Sequence, residues 1–236
     1  MSSKHIIFIV ALLVSLMAHS EDEFFMTGLL PDDGTYDQLD RKNDLLTRDY
    51  TVMPRKYSLL KYCPAVKSQS RYSTCTSWAT AYAARTIVEA VKYGWTNQTK
   101  ITGEAFSPLF VYALIKDRSR YPYDNDCQEG TSIYKALQLM KEKGVPKYTS
   151  FDVLCANYIS DALFQKARPF KIDDYFTLFS ITCTDANEKI RKVRKALSEE
   201  CPVVIAMHTP GLLCMPNKRG MGRMSIRRST GIMPCA

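Results

Sequence analysis

A chain of 236 residues, 46% of them apolar, is long enough to bury the core of one large or two-lobed domain. Its formal charge is +8, yet residues 211–236 hold five basic residues and no acidic one, and residues 21–210 carry 26 basic against 24 acidic side chains. That near-balance argues against a nucleic-acid-binding surface.

Residues 1–20 contain Lys4, an apolar run from Ile6 to Met17 and a small-residue ending, Ala18-His19-Ser20, ahead of Glu21-Asp22-Glu23. This is the pattern of a secretory signal cleaved after Ser20. The apolar run is short for a bilayer span, and no cysteine near the cleavage point supports a lipid anchor. The expectation is an exported protein, periplasmic or secreted, with no membrane anchor after cleavage, in a compartment where disulfides form. Residues 21–57 are polar and turn-rich, with the turn cluster Pro31-Asp32-Asp33-Gly34. They read as an N-terminal arm or a short pro-segment. Asn97-Gln98-Thr99 matches a glycosylation sequon by pattern only.

Three helices follow from periodicity. The first opens at Cys75, with Ser73 and Thr74 as N-cap candidates and a stripe at Trp78, Tyr82, Thr86 and Ala90, and it ends at Gly94. The spacing predicts a second from Glu104 to Lys116, with Phe106, Leu109, Phe110, Ala113 and Leu114 on one face. The third spans Ser132 to Lys143, with Gly144 as its C-cap. After Phe151 the pattern changes. Ile172 to Ile181 alternates as a strand does, Asn187 to Leu197 is a basic amphipathic helix whose charges read as a solvated face, and Pro202 to Met207 is a continuous apolar run suited to a buried strand.

Chemistry concentrates in Lys67 to Ala90, K-S-Q-S-R-Y-S-T-C-T-S-W-A-T-A-Y-A-A-R-T-I-V-E-A. A cysteine in the first turn of a helix sits at the positive end of the helix dipole, which favours thiolate over thiol. Gln69, six positions earlier, is placed to donate to an oxyanion. Cys75 is therefore the candidate nucleophile, weighed against a buried structural cysteine.

This stretch resembles the active-site region of papain-like cysteine peptidases, where a glutamine lies six positions before the cysteine that opens the central helix. The resemblance continues through F-S-P-L-F-V-Y (Phe106 to Tyr112). It extends to D-C-Q-E-G-T-S-I-Y-K-A-L-Q-L-M-K-E-K-G-V-P (Asp126 to Pro146), similar to the C-x-G-G stretch and its following helix, and to C-P-V-V-I-A-M (Cys201 to Met207), similar to the G-P-V strand. Departures point to a divergent bacterial branch. Thr76 follows Cys75 where tryptophan is usual, Tyr72 replaces the cysteine that normally bonds the equivalent of Cys127, and Glu129 stands where the first glycine belongs, leaving Gly130. The resemblance implies an α+β, two-lobed fold, with a helical lobe at 58–165 and an incomplete β-sheet or barrel lobe starting at 166–210. It also implies thiolate attack by Cys75, an oxyanion hole from Gln69 and the Cys75 N–H, and a substrate backbone contact at Gly130.

The general acid is missing. His5 and His19 lie in the signal, so His208 is the one histidine beyond it, and it follows Pro202 by six residues where the family's histidine follows by about thirty. It reads as a partly exposed residue at a strand end. No asparagine downstream orients an imidazole, Asn217 being the last. From Gly211 the composition turns to methionine, arginine and glycine, and the codons of Gly231 to Ala236, shifted by one base, allow x-His-His-Ala-Met-Cys, akin to the family's H-A-x-x-x-V-G-Y. Residues 211–236 are thus expected to be an atypical, frameshifted tail on a truncated, inactive peptidase. The alternative is a non-catalytic secreted peptide-binding protein that retains the cleft. Neither cofactor nor metal is implied, since the cysteine spacings lack C-x-x-C pairs or histidine partners. Cys63, Cys127, Cys155, Cys183 and Cys201 are an odd set, so at least one is unpaired, with no pairing assignable. The expected partner is a peptide or protein substrate.

Overall fold

The computed structural model describes residues 28–42, 54, 56–116, 127–207 and 229–235. The proposed signal and His208 lie outside them.

A continuous helix runs through the middle of the fold: an α turn Cys75–Ser77, a π-helical stretch Trp78–Arg85 and an α segment Thr86–Lys92. Gly94, with φ +62, follows its end. The π stretch brings Trp78 and Tyr82 together, ring centroids 4.9 Å apart, and such stretches recur at functional sites. The N-cap expectation needs correction. Thr74 holds the cap position but makes no side-chain cap bond, and both Ser73 Oγ and Thr74 Oγ1 are buried without a partner among the described residues. Both hydroxyls are enclosed by elements folded over the turn, so tertiary packing rather than a local cap sets this start.

The second predicted helix begins later than its periodicity suggested, at Pro108–Ile115. Ser107 Oγ accepts from Phe110 N, and Pro108 occupies the first turn, where a missing N–H costs nothing. Phe106 instead bridges to Lys147 as extended chain. The preceding residues form a helix that sequence reasoning missed, Gln98–Gly103, capped by the Asn97 side chain on Lys100 N. The third helix, Ile133–Glu142, matches its expectation, with Ser132 capping and Gly144 at φ +81. A further short helix, Asp161–Ala167, was also missed.

Three strands form one antiparallel sheet in the order β1-β3-β2, with β1 Asp174–Thr177, β2 Val204–Met207 and β3 Ser229–Cys235. The helix Ala186–Ser198 links β1 and β2, capped by Asp185. The expectation of a fully buried strand at Pro202 to Met207 is corrected: Val204 is buried while Ile205 is 46% exposed, the alternation of an antiparallel strand with one wet face. β3, from the stretch read as an atypical tail, is the middle strand. Ile232 lies opposite both Thr177 and Val204.

The main core joins Phe110, Val111, Leu137 and Met140 from the helices, with Phe106 and Val145 flanking them, to Ile172 and to Val204 of β2. The helical and sheet parts therefore share one hydrophobic cluster. On the central helix, Arg85 pairs with Glu89 at 2.8 Å and lies over the Phe106 ring, against which Lys147 Nζ also packs. Burial pushes the Arg85 and Lys147 pKa values down, and the neighbouring carboxylates of Glu89, for both, and Glu104, for Lys147, oppose the shift.

Residues 28–42 pack on the body as an arm. Its short helix Asp33–Tyr36 is capped by Asp32, Tyr36 Oη donates to Phe179 O at 2.7 Å, and Lys42 pairs with Glu199.

Candidate active site

Cys75 is half-buried at the first residue of the central helix. The loop before it is fixed by main-chain contacts, because Ser73 N donates to Cys127 O at 2.8 Å. Cys127 belongs to a five-residue stretch, 127–131, that faces the nucleophile loop and runs into the helix Ile133–Glu142. Sequence reasoning left Cys127 without a partner. The structure bonds it to Cys155, 28 residues on and in a different loop, and the free cysteines among the described residues are Cys63, Cys75, Cys183 and Cys201. Burial raises the pKa of the Cys63 thiol.

Gln69 lies in the loop leading to Cys75, with its Nε2 donating to Tyr72 O at 3.0 Å. A primary amide has two N–H donors, and one of them is committed to shaping this loop.

The sulfur faces the arm. Gly28 N donates to Cys75 Sγ at 3.2 Å, while the Gly28 carbonyl accepts from Thr131 N at 2.7 Å. Leu30 N donates to Thr131 O at 3.0 Å, completing a parallel bridge between Leu29 and Thr131. Thr76 Oγ1 lies 3.3 Å from Gly28 O and 3.1 Å from Thr131 O. The Thr76 hydroxyl, next to Cys75, therefore bonds the arm to the 127–131 stretch.

Two glycines make this fit possible. A Cβ on Gly28 would come within 1.9 Å of Ser73 O, and one on Gly130 within 2.9 Å of Leu30 Cγ. The chain that Gly130 meets is the protein's own arm, at Leu30 and Gly28. The sequence singled out Cys75, Gln69 and Gly130. It missed Gly28, Thr76, Thr131 and Cys155, whose roles arise from contacts far apart in the chain.

Scanned against protein-family models and curated protein sequences, the chain matches none. Solved structures do match it. Xylellain, a cysteine protease from Xylella fastidiosa, is 18% identical, with a TM-score of 0.54 over 80% of this chain and 69% of its own. The procathepsin B S9 of Trypanosoma congolense is 13% identical, with a TM-score of 0.53 over 88% of this chain and 70% of its own. The Amb a 11 cysteine protease of ragweed pollen, in its proform, is 15% identical, with a TM-score of 0.53 over 89% of this chain and 59% of its own.

Proposed function

From the papain-like cysteine-protease fold of this chain, we propose that it is built for thiolate attack on peptide bonds, with Cys75 as the nucleophile. The observation that carries this reading is the placement of Cys75 on the first turn of the central helix, opposite the 127–131 wall that ends at Gly130 and Thr131. An extended peptide laid along that wall brings a carbonyl carbon to the sulfur. Sulfur bonds to carbon, the carbonyl electron pair moves onto oxygen, and the Cys75 N–H with the second Gln69 N–H stabilises the oxyanion. Collapse re-forms the carbonyl and breaks the C–N bond. The amine must take a proton as it leaves, and water then hydrolyses the thioester.

The proton is the weak step. His208, beyond residue 20 the only histidine, lies six positions past Pro202. We propose that this chain as written lacks an effective general acid, which costs about two to four orders of magnitude in amide turnover. The stretch whose shifted frame reads His-His-Ala falls on β3, hydrogen-bonded to β2. That adjacency supports the view that residues 211–236 stand in for a histidine-bearing strand. The secretory reading of residues 1–20 is kept as a proposal; a disulfide is present, and among the described residues no helix is long and apolar enough to cross a membrane.

The test is a panel of peptidyl acyloxymethyl ketones with adducts mapped by mass spectrometry. Labelling of Cys75 that varies with the peptide and disappears in Cys75→Ala supports the reading. Equal labelling of Cys63, Cys183 and Cys201, indifferent to peptide sequence, sinks it.

A further inference from the structure

Residues 28–30 lie across Cys75 as a strap. It is a block and not a substrate. The group it presents to the sulfur is the Gly28 N–H, while the Gly28 carbonyl is turned to Thr131 N and Thr76 Oγ1. The strap's seat is the 127–131 stretch. At one end Thr131 exchanges both main-chain bonds with Gly28 and Leu30; at the other Cys127 O takes the Ser73 N–H. Fit is tight on both sides, with Gly28 against Ser73 and Leu30 against Gly130.

The seat is tied to the body by the Cys127–Cys155 bond. Cys155 belongs to a loop that is itself anchored, since Ser107 Oγ donates to Phe151 O at 2.7 Å and Lys116 Nζ to Asn157 Oδ1 at 2.9 Å. Cys127 and Cys155 have φ of 51 and 54, in the left-handed region that side-chain-bearing residues adopt when their surroundings hold them there. Cys127 is buried, and Cys155 is half-buried and reachable.

We propose that the Cys127–Cys155 disulfide keeps the strap seated over Cys75, and that its reduction opens the site. This rests on the reading of Cys75 as the nucleophile. A small dithiol supplies two electrons and two protons: the S–S bond breaks, two S–H bonds form, and the reductant closes to its own disulfide. Both backbones leave the left-handed region, Cys127 O loses its register with Ser73 N, and Thr131 no longer meets Gly28 and Leu30. The condition that keeps Cys75 a thiol is then the condition that uncovers it.

The full chain is poised at graded ratios of a dithiol to its oxidised form, freed of reductant, and pulsed with iodoacetamide; labelled cysteines are mapped by mass spectrometry. With the disulfide intact, Cys75 should label about tenfold or more slowly than in Gly28→Ala, whose added methyl unseats the strap. Labelling of Cys75 should rise with the same midpoint as loss of the disulfide, and Cys155→Ser should match Gly28→Ala without reductant. A Cys75 rate that stays flat through complete reduction overturns the proposal. So does a disulfide-intact chain that labels as fast as Gly28→Ala. Should Cys155→Ser fail to fold, the wild-type titration decides alone. The peptidase reading fails separately: Cys75 that opens on reduction but never discriminates among peptidyl ketones leaves the latch standing and removes the nucleophile.

Discussion

The helical part of the molecule and its sheet bury their residues differently. Phe106, Phe110, Val111, Leu137, Met140 and Val145 are each at most 1% exposed, whereas β1 places only Thr177 out of water and β2 leaves Ile205 half in it. The part that carries Cys75 thus holds the most deeply buried of the described side chains. The sheet, which in the resemblance would bring the histidine, leans on that core through Ile172 and Val204. The two regions bury their side chains unequally, so damage to the sheet should touch the surroundings of Cys75 less than damage to the helical core.

The sharpest break in the comparison is chemical. Cys75→Ala should abolish every peptide-dependent adduct, while Ile205→Ala, on the exposed face of β2, should leave adduct formation within about twofold of wild type, the range of a surface substitution. Adduct yield by intact mass checks both. Next in size is packing: Phe110→Ala should cost about 3–5 kcal/mol, because its ring packs edge-on against Phe151 and Phe164 inside the main cluster. Ile205→Ala, on the wet face of β2, should stay within about 0.5 kcal/mol. Denaturant midpoints at constant m-value distinguish the two.

A smaller effect tests the seam. Burial, and then the neighbouring Tyr134, push the Tyr175 pKa up to about 12 from an ordinary 10.0. A group that keeps its proton in the folded chain after the unfolded chain has lost it contributes stability that is complete below pH 10 and is lost as pH rises toward 12. Wild type should therefore lose stability in that window more steeply than Tyr175→Phe, as read from urea midpoints at pH 9, 10 and 11. Smallest of all is the pair Lys141–Asp174, 2.7 Å apart and about two-fifths exposed on both sides. The lysine hydrogen bond holds the Asp174 carboxyl below the usual carboxylate range, with the Tyr175 N–H adding to it. The contribution is present above the unfolded carboxylate pKa and vanishes as pH falls through the lower folded value. Asp174→Asn should cost under about 1 kcal/mol at neutral pH and nothing at pH 2.

What the sequence disclosed was local. The helices Ile133–Glu142, with Gly144 past its end, and Ala186–Ser198 were visible because period and stop signal are neighbours in the chain. Gln98–Gly103 and Asp161–Ala167 were not, since helices of six and seven residues are too short to establish a period. The apolar run at Val203-Val204-Ile205 hid an alternation set by the partner strand. Cys75, Gln69 and Gly130 were legible as spacing, but the strap and the Cys127–Cys155 bond join residues 28 to 103 positions apart. Nothing in Gly28-Leu29-Leu30 by itself says which surface it will cover.

The central claim is an intact nucleophile without an effective general acid. It is tested most directly by giving the chain a peptide p-nitrophenyl ester, whose leaving group departs without a proton, beside the corresponding peptide amide, on wild type and on Gly28→Ala. The account predicts a nitrophenolate burst of about one equivalent from Gly28→Ala, with the acyl group on Cys75 and little cleavage of the amide. A folded Gly28→Ala chain that gives no acyl group on Cys75, or one that hydrolyses the amide as readily as the ester, would contradict it.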